Sequence, residues 1–563
     1  MTFLPDNIFN LANVVFKVAR EDPERVAVIE PDGFASPGKR KYKRYTYRQL
    51  SADAEAIAPG LREMGIAERT RIICMTPPSY EACAIGLALQ RVGAMTLWID
   101  PSVGYRNVGE RLRRLDPEAF VGVPLAHVGR LAFGWGSRWM RKLIVIGKPG
   151  FPGARSLASL RREAPIVPPQ PAITPEDPAC VLYTTGSTGP AKPALYLHRN
   201  YAHLYRVVHE SWRFDLAKPP VDMAVFPAFF FIALSAGGTM VVPPINFVRE
   251  TPANADPKAI LDVINDCQVS SCFASPVLLE NMARYAVDHG VKTPSFKRVI
   301  GGGAPIVARV KEALLAMMGP EGQVFSNYGA TEALPTSEMD GRETLNETWA
   351  LTLKGAGICV GRPFSGVTVK IVRMSDGPLP TMAETEELVM GEIGEILVKS
   401  PHVSPRYFLD EASTRKNKVL EPNGDVWHRV GDAGYLDAQG RLWYCGRVGQ
   451  RVKSKGGALF SLNCEPIFDA HPKVKRSGLV GVQRGGGELP VLCAEVVEGT
   501  PDSELDAIRR ELLALAKTHP ATSSIKHVLF PKVLPVDPRH NSKIERPALA
   551  KWATQELSAA QST

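Results

Sequence analysis

Tyr183-Thr184-Thr185-Gly186-Ser187-Thr188-Gly189-Pro190-Ala191-Lys192 follows directly on the apolar run Ala179-Cys180-Val181-Leu182. Glycines let a backbone bend so that its N–H groups face an anion. The hydroxyls of Thr184, Thr185, Ser187 and Thr188 add short donors, and Lys192 adds a point charge. A polyphosphate is the expected ligand, held by Thr184, Thr185, Gly186, Ser187, Thr188, Gly189 and Lys192, and a nucleotide-using enzyme is the first hypothesis. A polar surface turn is the alternative. A Walker-type loop needs a serine or threonine directly after its lysine to hold magnesium. Here Pro193 follows Lys192, so an ordinary kinase or GTPase reading is poor.

On either side of this loop, strands and helices alternate. Arg71–Thr76 reads as a strand, Tyr80–Val92 as a helix and Ala94–Ile99 as another strand. The rhythm returns at Gln268–Ala274, Val277–Val287 and Arg298–Gly302. Such alternation predicts parallel α/β sheets. Later segments, Val367–Val372, Gly394–Val398, Gly434–Asp437 and Leu442–Cys445, are short strands separated by turn residues, which predicts an antiparallel or barrel-like subdomain. A smaller unit follows: strands at Ser477–Val482, Val491–Glu495 and His527–Phe530, with a helix at Ser503–Thr518. The boundary is placed near Gly449, giving domains 1–448 and 449–563, with Gln555–Thr563 read as a frayed tail.

A chain of 563 residues exceeds what one core supports, in line with two domains. Hydrophobic content of 45% and charged content of 22% are ordinary for a soluble globular protein. The net charge of +9 is dispersed, which mildly favours an anionic substrate, and no basic run carries interleaved aromatics, so nucleic-acid binding has little support. Nine scattered cysteines without a C-x-x-C pair argue against a zinc site or disulfide framework and fit a reducing cytoplasm. The first residues carry no basic n-region followed by an apolar core, so a signal peptide is not expected. Met223–Val248 has no charged residue, yet Pro227, Pro243, Pro244, Gly237 and Gly238 break it up, so a buried segment or apolar substrate channel is expected rather than a membrane span.

Four further constellations carry possible chemistry. Gly301-Gly302-Gly303-Ala304-Pro305 offers side-chain-free backbone to a flat ring, although strand-to-helix turns also contain glycine. Tyr328-Gly329-Ala330-Thr331-Glu332 places an aromatic, a hydroxyl and a carboxylate within five residues, the set a nucleotide and its Mg²⁺ need; a capped helix start is the alternative. Gly431-Asp432-Ala433-Gly434-Tyr435 with Gly446-Arg447 could hold ribose hydroxyls and phosphate, or be a turn Asp beside a surface Arg. Lys543, on the polar loop Pro538–Arg546, could swing into a site elsewhere or belong to a solvated basic loop.

Taken in order, these motifs resemble the adenylate-forming superfamily of acyl-CoA synthetases, adenylation domains and luciferases, from Tyr45-Thr46-Tyr47 to Lys543. The resemblance implies a large N-terminal α/β domain with a barrel-like subdomain and a small α+β C-terminal lid. It implies attack of a carboxylate on the α-phosphate of ATP, giving an acyl-adenylate and pyrophosphate. By that resemblance Thr184 to Lys192 hold the β- and γ-phosphates. Gly303, Ala304 and Pro305 line the adenine, with Tyr328, Gly329 and Ala330 beside it. Thr331 contacts the α-phosphate, Glu332 holds Mg²⁺, Asp432 takes the ribose hydroxyls and Arg447 ribose or phosphate. Lys543 bridges the substrate carboxylate and α-phosphate, placing charge where it develops.

Val123–Val128, Gly434–Arg447 and Pro535–Ile544 look closer to one branch, the olefin β-lactone synthetases. That resemblance implies a long-chain 2-alkyl-3-hydroxyalkanoic acid whose own hydroxyl displaces AMP, Phe229, Phe230 and Phe231 along its alkyl chains, and partner enzymes of hydrocarbon synthesis. A fatty acyl-CoA ligase, an acyl-AMP ligase and a non-catalytic nucleotide-binding protein are the rival readings. Four positions depart from the superfamily pattern: Pro193 for glycine, Ser542 for glycine, Gly449 for a charged hinge residue, and Phe226–Phe231 for an aromatic-histidine motif. They weigh against thioester formation more than against adenylation. His198, His402 and His540 are candidate bases by residue type alone.

Overall fold

The strands Arg71–Met75 and Met95–Trp98, joined by the helix Tyr80–Arg91, pair in parallel from Arg71↔Met95 to Cys74↔Trp98. Ile72, Ile73 and Leu97 are fully buried, as expected of a strand pair covered on both faces. Ser79 caps the intervening helix by accepting the Ala82 N–H, which fixes where the chain leaves the strand. The computed structural model describes residues 9–98, 105–135, 140–148, 150–163, 172–184, 191–214, 218–226, 229–247, 249–379, 381–536 and 543–562. It divides into one unit of Met1–Thr336, Phe364–Gly366 and Ser400–Thr414, and a second of Ser337–Pro363, Val367–Lys399 and Arg415–Thr563.

The first unit holds two sheets. One runs in the order Arg406–Tyr407, Pro193–Leu197, Pro178–Tyr183, Met95–Trp98, Arg71–Met75, Ala119–Gly122, Lys142–Val145, Arg155–Ser156. The other runs Gln323–Ala330, Arg298–Gly302, Ser271–Ala274, Val221–Ala224, Thr239–Val241, Val26–Ser36, Lys39–Thr46. Pairing is parallel through the middle of both. The helix Tyr47–Glu63 starts in a reciprocal cap: Thr46 Oγ1 accepts Gln49 N–H at 3.2 Å and Gln49 Oε1 accepts Thr46 N–H at 2.8 Å. Leu50, Ala54, Ile57 and Leu61 then bury one stripe of it. Met223–Val248 resolves into the strand Val221–Ala224, the short helix Phe231–Ser235 and the strand Thr239–Val241. No helix among the described residues is long and apolar enough to cross a membrane. All nine cysteines are buried and free.

The second unit contains the antiparallel region expected after residue 366. Its order is Thr368–Val372, Gly394–Lys399, Val426–Leu436, Leu442–Arg447, Ile358–Pro363. The same unit carries a three-stranded sheet, Val474–Arg484, Gly487–Val496 and His527–Leu529, packed with the helices Ser461–Asp469, Leu505–Thr518 and Arg546–Ser562. The mixed α/β architecture read from the sequence is therefore the observed one. One reading is corrected: Gln555–Ser562 continues the last helix instead of fraying. Gln, Glu, Leu and Ala dominate that stretch, all good helix formers, and Leu557 packs against the cluster around Val480 and Val491.

Candidate active site

Thr184 and Lys192, at the two ends of the glycine loop, are paired by two hydrogen bonds. Thr184 N–H donates to Lys192 O at 3.0 Å, and Lys192 N–H donates to Thr184 Oγ1 at 2.9 Å. Pro193, which excludes a Walker loop, is the first residue of the strand Pro193–Leu197, where a proline is tolerated. Its carbonyl accepts the Phe408 N–H at 2.8 Å. Thr185, Gly186, Ser187, Thr188 and Gly189 lie outside the described residues.

Thr331 and Glu332 form a two-residue turn between the strands Gln323–Ala330 and Ala333–Asp340 rather than a helix start. The turn is tight: a Cβ on Gly329 would stand 2.6 Å from the Ala333 carbonyl oxygen, so only glycine fits. Three contacts hold the turn from behind. Tyr196 O–H donates to Thr331 O at 2.6 Å, Ser404 N–H donates to Glu332 O at 2.8 Å, and the Tyr407 hydroxyl donates to the Glu332 carboxylate. Glu332 is buried, and the Lys192 ammonium lies 5.5 Å from the centre of the Tyr407 ring. Burial, then the charge of Glu332, pushes the Tyr407 phenol far above its ordinary range, so it stays a donor at working pH. Thus Lys192 and Glu332, 140 positions apart in sequence, meet on a residue that motif reading missed. Tyr407 stands in Pro405-Arg406-Tyr407-Phe408, which carries no loop or charge pattern that marks it.

The Gly301–Pro305 segment leaves the end of the strand Arg298–Gly302. A Cβ on Gly302 would lie 2.8 Å from the Phe273 ring, so the glycine lets this aromatic come close to the strand end. Gly303 and Pro305 are exposed, and Ala304 and Tyr328 are half-buried. Phe273 in turn meets Phe229 edge-on at 5.0 Å and Phe226 at 5.6 Å. Phe229 is half-buried, whereas Phe230 and Phe231 fill the core, with Phe230 5.4 Å from Trp98 and Phe231 against Gly86. His198 and His402 are buried, and burial drops both to about 4. His402 Nδ1 lies 2.7 Å from Ser400 Oγ. His540 lies outside the described residues.

In the second unit, Asp432 and Arg447 face each other across neighbouring antiparallel strands, with Arg447 Nη1 3.0 Å from Asp432 Oδ1. Arg447 Nη1 also donates to Val430 O at 3.1 Å. Asp432 is buried, while the Arg447 side chain keeps 28% of its surface. Lys543 is half-buried and immediately precedes the bridge Val536↔Ile544, where Glu545 N–H donates to Pro535 O at 2.8 Å. Three residues on, Arg546 is clamped by Glu465 at 2.5 and 3.0 Å and donates to Leu479 O at 2.8 Å. A bidentate buried pair of this kind fixes the backbone just past Lys543.

The first unit thus carries the joined ends of the glycine loop and a rigid Thr-Glu turn, and the second carries a carboxylate–guanidinium pair and a lysine beside an anchored segment. Residues 15–408 match the AMP-binding enzyme family. The chain belongs to that family and is an ATP-dependent, AMP-forming ligase. It is 37% identical to an olefin beta-lactone synthetase of Stenotrophomonas maltophilia, over 97% of this chain and 98% of that one. It is 35% identical to an olefin beta-lactone synthetase of Xanthomonas campestris pv. campestris, with the same two shares, 97% and 98%. Among solved structures, the amide bond synthetase McbA of Marinactinospora thermotolerans shares the fold at a TM-score of 0.76 and 22% identity, over 98% of this chain and 100% of that one.

Proposed function

We propose that this ligase adenylates a long-chain 2-alkyl-3-hydroxyalkanoic acid and then closes it to a β-lactone. The observation that carries the reading is the 35–37% identity, over 97% of the chain, to two olefin beta-lactone synthetases. In the first step a carboxylate oxygen bonds to the α-phosphorus of ATP and the bond to pyrophosphate breaks. In the second the 3-hydroxyl oxygen bonds to the acyl carbon, the bond to AMP breaks, and the hydroxyl proton passes to solvent. An internal nucleophile needs no second substrate and gains from proximity.

Thr184 to Lys192 grip the β- and γ-phosphates. Gly303, Ala304, Pro305, Tyr328, Gly329 and Ala330 enclose the adenine, and Thr331 meets the α-phosphate. Asp432 takes the ribose hydroxyls with Arg447 alongside. Residues 449–563 act as a lid that delivers Lys543 to the carboxylate and α-phosphate, and can withdraw it between half-reactions. Glu332 is the ligand for Mg²⁺. The described residues hold no cluster of three His, Cys, Asp or Glu side chains suited to a metal. A lone buried carboxylate fits Mg²⁺ bound largely through phosphates and water, and the ion would neutralise phosphate charge there. Phe229, with Phe226 and Phe273, lines the acyl entrance, and Phe230 and Phe231 form the wall behind it. Other enzymes of hydrocarbon synthesis supply the acid and consume the lactone.

The test is product analysis with a synthetic 2-alkyl-3-hydroxy acid, ATP and Mg²⁺, with and without CoA. Lactone formed independently of CoA is expected. A CoA-dependent thioester without lactone would overturn the proposal in favour of an acyl-CoA ligase. A released acyl-adenylate would favour an acyl-AMP ligase.

A further inference from the structure

The helix Pro124–Phe133 inverts the usual arrangement of a surface helix. Its outward stripe is Leu125, Val128, Leu131 and Ala132, of which the first three keep 52%, 50% and 63% of their surface. At 100° per residue these four positions share one face. Four of the fourteen exposed large hydrophobic side chains among the described residues, with Phe133 as the fourth, fall in this one helix. Isolated exposed apolar residues need no explanation, but a contiguous patch does.

The helix cannot roll to hide them. Ala126, His127 and Gly129 are buried on its inner side. His127 Nε2 lies 2.9 Å from Ile144 O, and its ring stacks on Phe151 at 4.9 Å. A Cβ on Gly129 would stand 2.6 Å from the Trp135 ring, so helix and indole are in close contact.

The surroundings are basic. Residues 119–162 contain eight Lys or Arg and no Asp or Glu. Some are neutralised: Lys142, Arg161 and Arg162 pair with Glu118, Asp53 and Glu63. Exposed Arg113 donates to Gly134 O at 3.0 Å, which puts its charge at the C-terminal end of the helix. Arg141 and Lys148, also exposed, flank the neighbouring strand Lys142–Val145. An apolar stripe with Arg113 at its C-terminal end, in a stretch of chain rich in Lys and Arg and free of acids, matches a bilayer surface whose headgroups are anionic and whose acyl chains lie just below. A protein partner would need a matching acidic rim around an apolar groove, a narrower requirement.

We infer that the helix Pro124–Phe133 docks this enzyme peripherally on an anionic lipid bilayer, with Leu125, Val128 and Leu131 entering the headgroup layer. The inference stands on the helix and its basic surroundings and does not depend on which acid is adenylated. The test is cosedimentation of the full chain with vesicles of phosphatidylglycerol and phosphatidylethanolamine, set against vesicles of phosphatidylcholine. Binding to the anionic vesicles is expected, weakening as salt is raised. The double substitution L125S/L131S should abolish it, while V533S, at an exposed apolar residue far along the chain, should leave it intact. Pyrophosphate release by L125S/L131S at the wild-type rate in solution shows that the variant is folded. Two results overturn the inference: a wild type that stays in the supernatant at low salt, or a double variant that binds as well as wild type. A wild-type dimer that L125S/L131S disperses, with no vesicle binding, would instead make the face a protein interface.

Discussion

The Tyr407 hydroxyl donates a hydrogen bond to the Glu332 carboxylate, and the two side chains are buried together. The same ring lies beneath Lys192, at the base of the glycine loop. Tyr407 thereby ties the proposed Mg²⁺ ligand to the proposed phosphate grip. A hydrogen bond to a charged group contributes about 1.5–3 kcal/mol.

Tyr407→Phe keeps the ring and removes that bond. Pyrophosphate exchange should fall roughly 10- to 100-fold, and the Mg²⁺ concentration for half-maximal rate should rise. The melting temperature should fall by only a few degrees: the buried Glu332 carboxylate loses a donor, but the ring still fills its place. An unchanged Mg²⁺ dependence would show that Tyr407 only packs.

Asp432 and Arg447 form a cross-strand ion pair in which the acid is buried and the base is 28% exposed. Removing one partner from a fully buried pair costs ~3–5 kcal/mol. Arg447→Ala should destabilise by about 2 kcal/mol, less than that range because solvent still reaches the pair. Asp432→Asn should raise the KM for ATP about tenfold, since an amide replaces one acceptor of the ribose hydroxyls. Urea denaturation and ATP saturation curves read the two effects separately. Equal ATP affinity in Asp432→Asn would remove the ribose role.

Lys543→Ala should lower adenylation about 1000-fold while ATP still binds, as measured by calorimetry, because the lysine supplies charge only where it develops. Arg546→Ala should also slow adenylation, but by loosening the segment that Glu465 anchors. The two are told apart by stability: Arg546→Ala leaves Glu465 buried without its partner and melts earlier, whereas Lys543→Ala does not. Wild-type turnover in Lys543→Ala would refute its role.

Much of this architecture was legible because it is local. Strand Arg71–Met75, helix Tyr80–Arg91 and strand Arg298–Gly302 follow from apolar runs and turn residues within a dozen positions. Tyr407 was not legible, because its partner Glu332 is 75 positions away and only the pairing of Arg406–Tyr407 with Leu195 and Ala194 brings it in. Pro193 is a related case. As a residue type it signals a broken loop, but in the structure it opens a strand. The Phe-rich run shows the limit of composition, since Phe229 is half-buried while Phe230 and Phe231 are core. Burial direction depends on the turn that precedes them, and an uninterrupted aromatic run carries no periodicity to reveal it.

Asp222 is the most informative buried acid. It accepts hydrogen bonds from Ser271 Oγ at 2.5 Å and Trp212 Nε1 at 3.2 Å, yet burial outweighs both and raises its carboxyl to about 7. The folded chain therefore favours the neutral acid. Its stabilising contribution is complete below the ordinary carboxylate range, near 3.8, and is lost as pH rises through about 7. At about 1.36 kcal/mol per tenfold change, the rise from 3.8 to about 7 sets an upper bound of about 4 kcal/mol. Asp222→Asn is neutral at every pH, and its carbonyl oxygen can accept both donors. The variant should therefore gain stability relative to wild type as pH goes from 4 to 8, by up to about 4 kcal/mol in urea denaturation. At pH 4 the two proteins should be nearly equal, because wild-type Asp222 is then protonated when folded. Parallel stability curves for the two proteins across that range would mean that Asp222 ionises in the folded state as readily as in the unfolded chain.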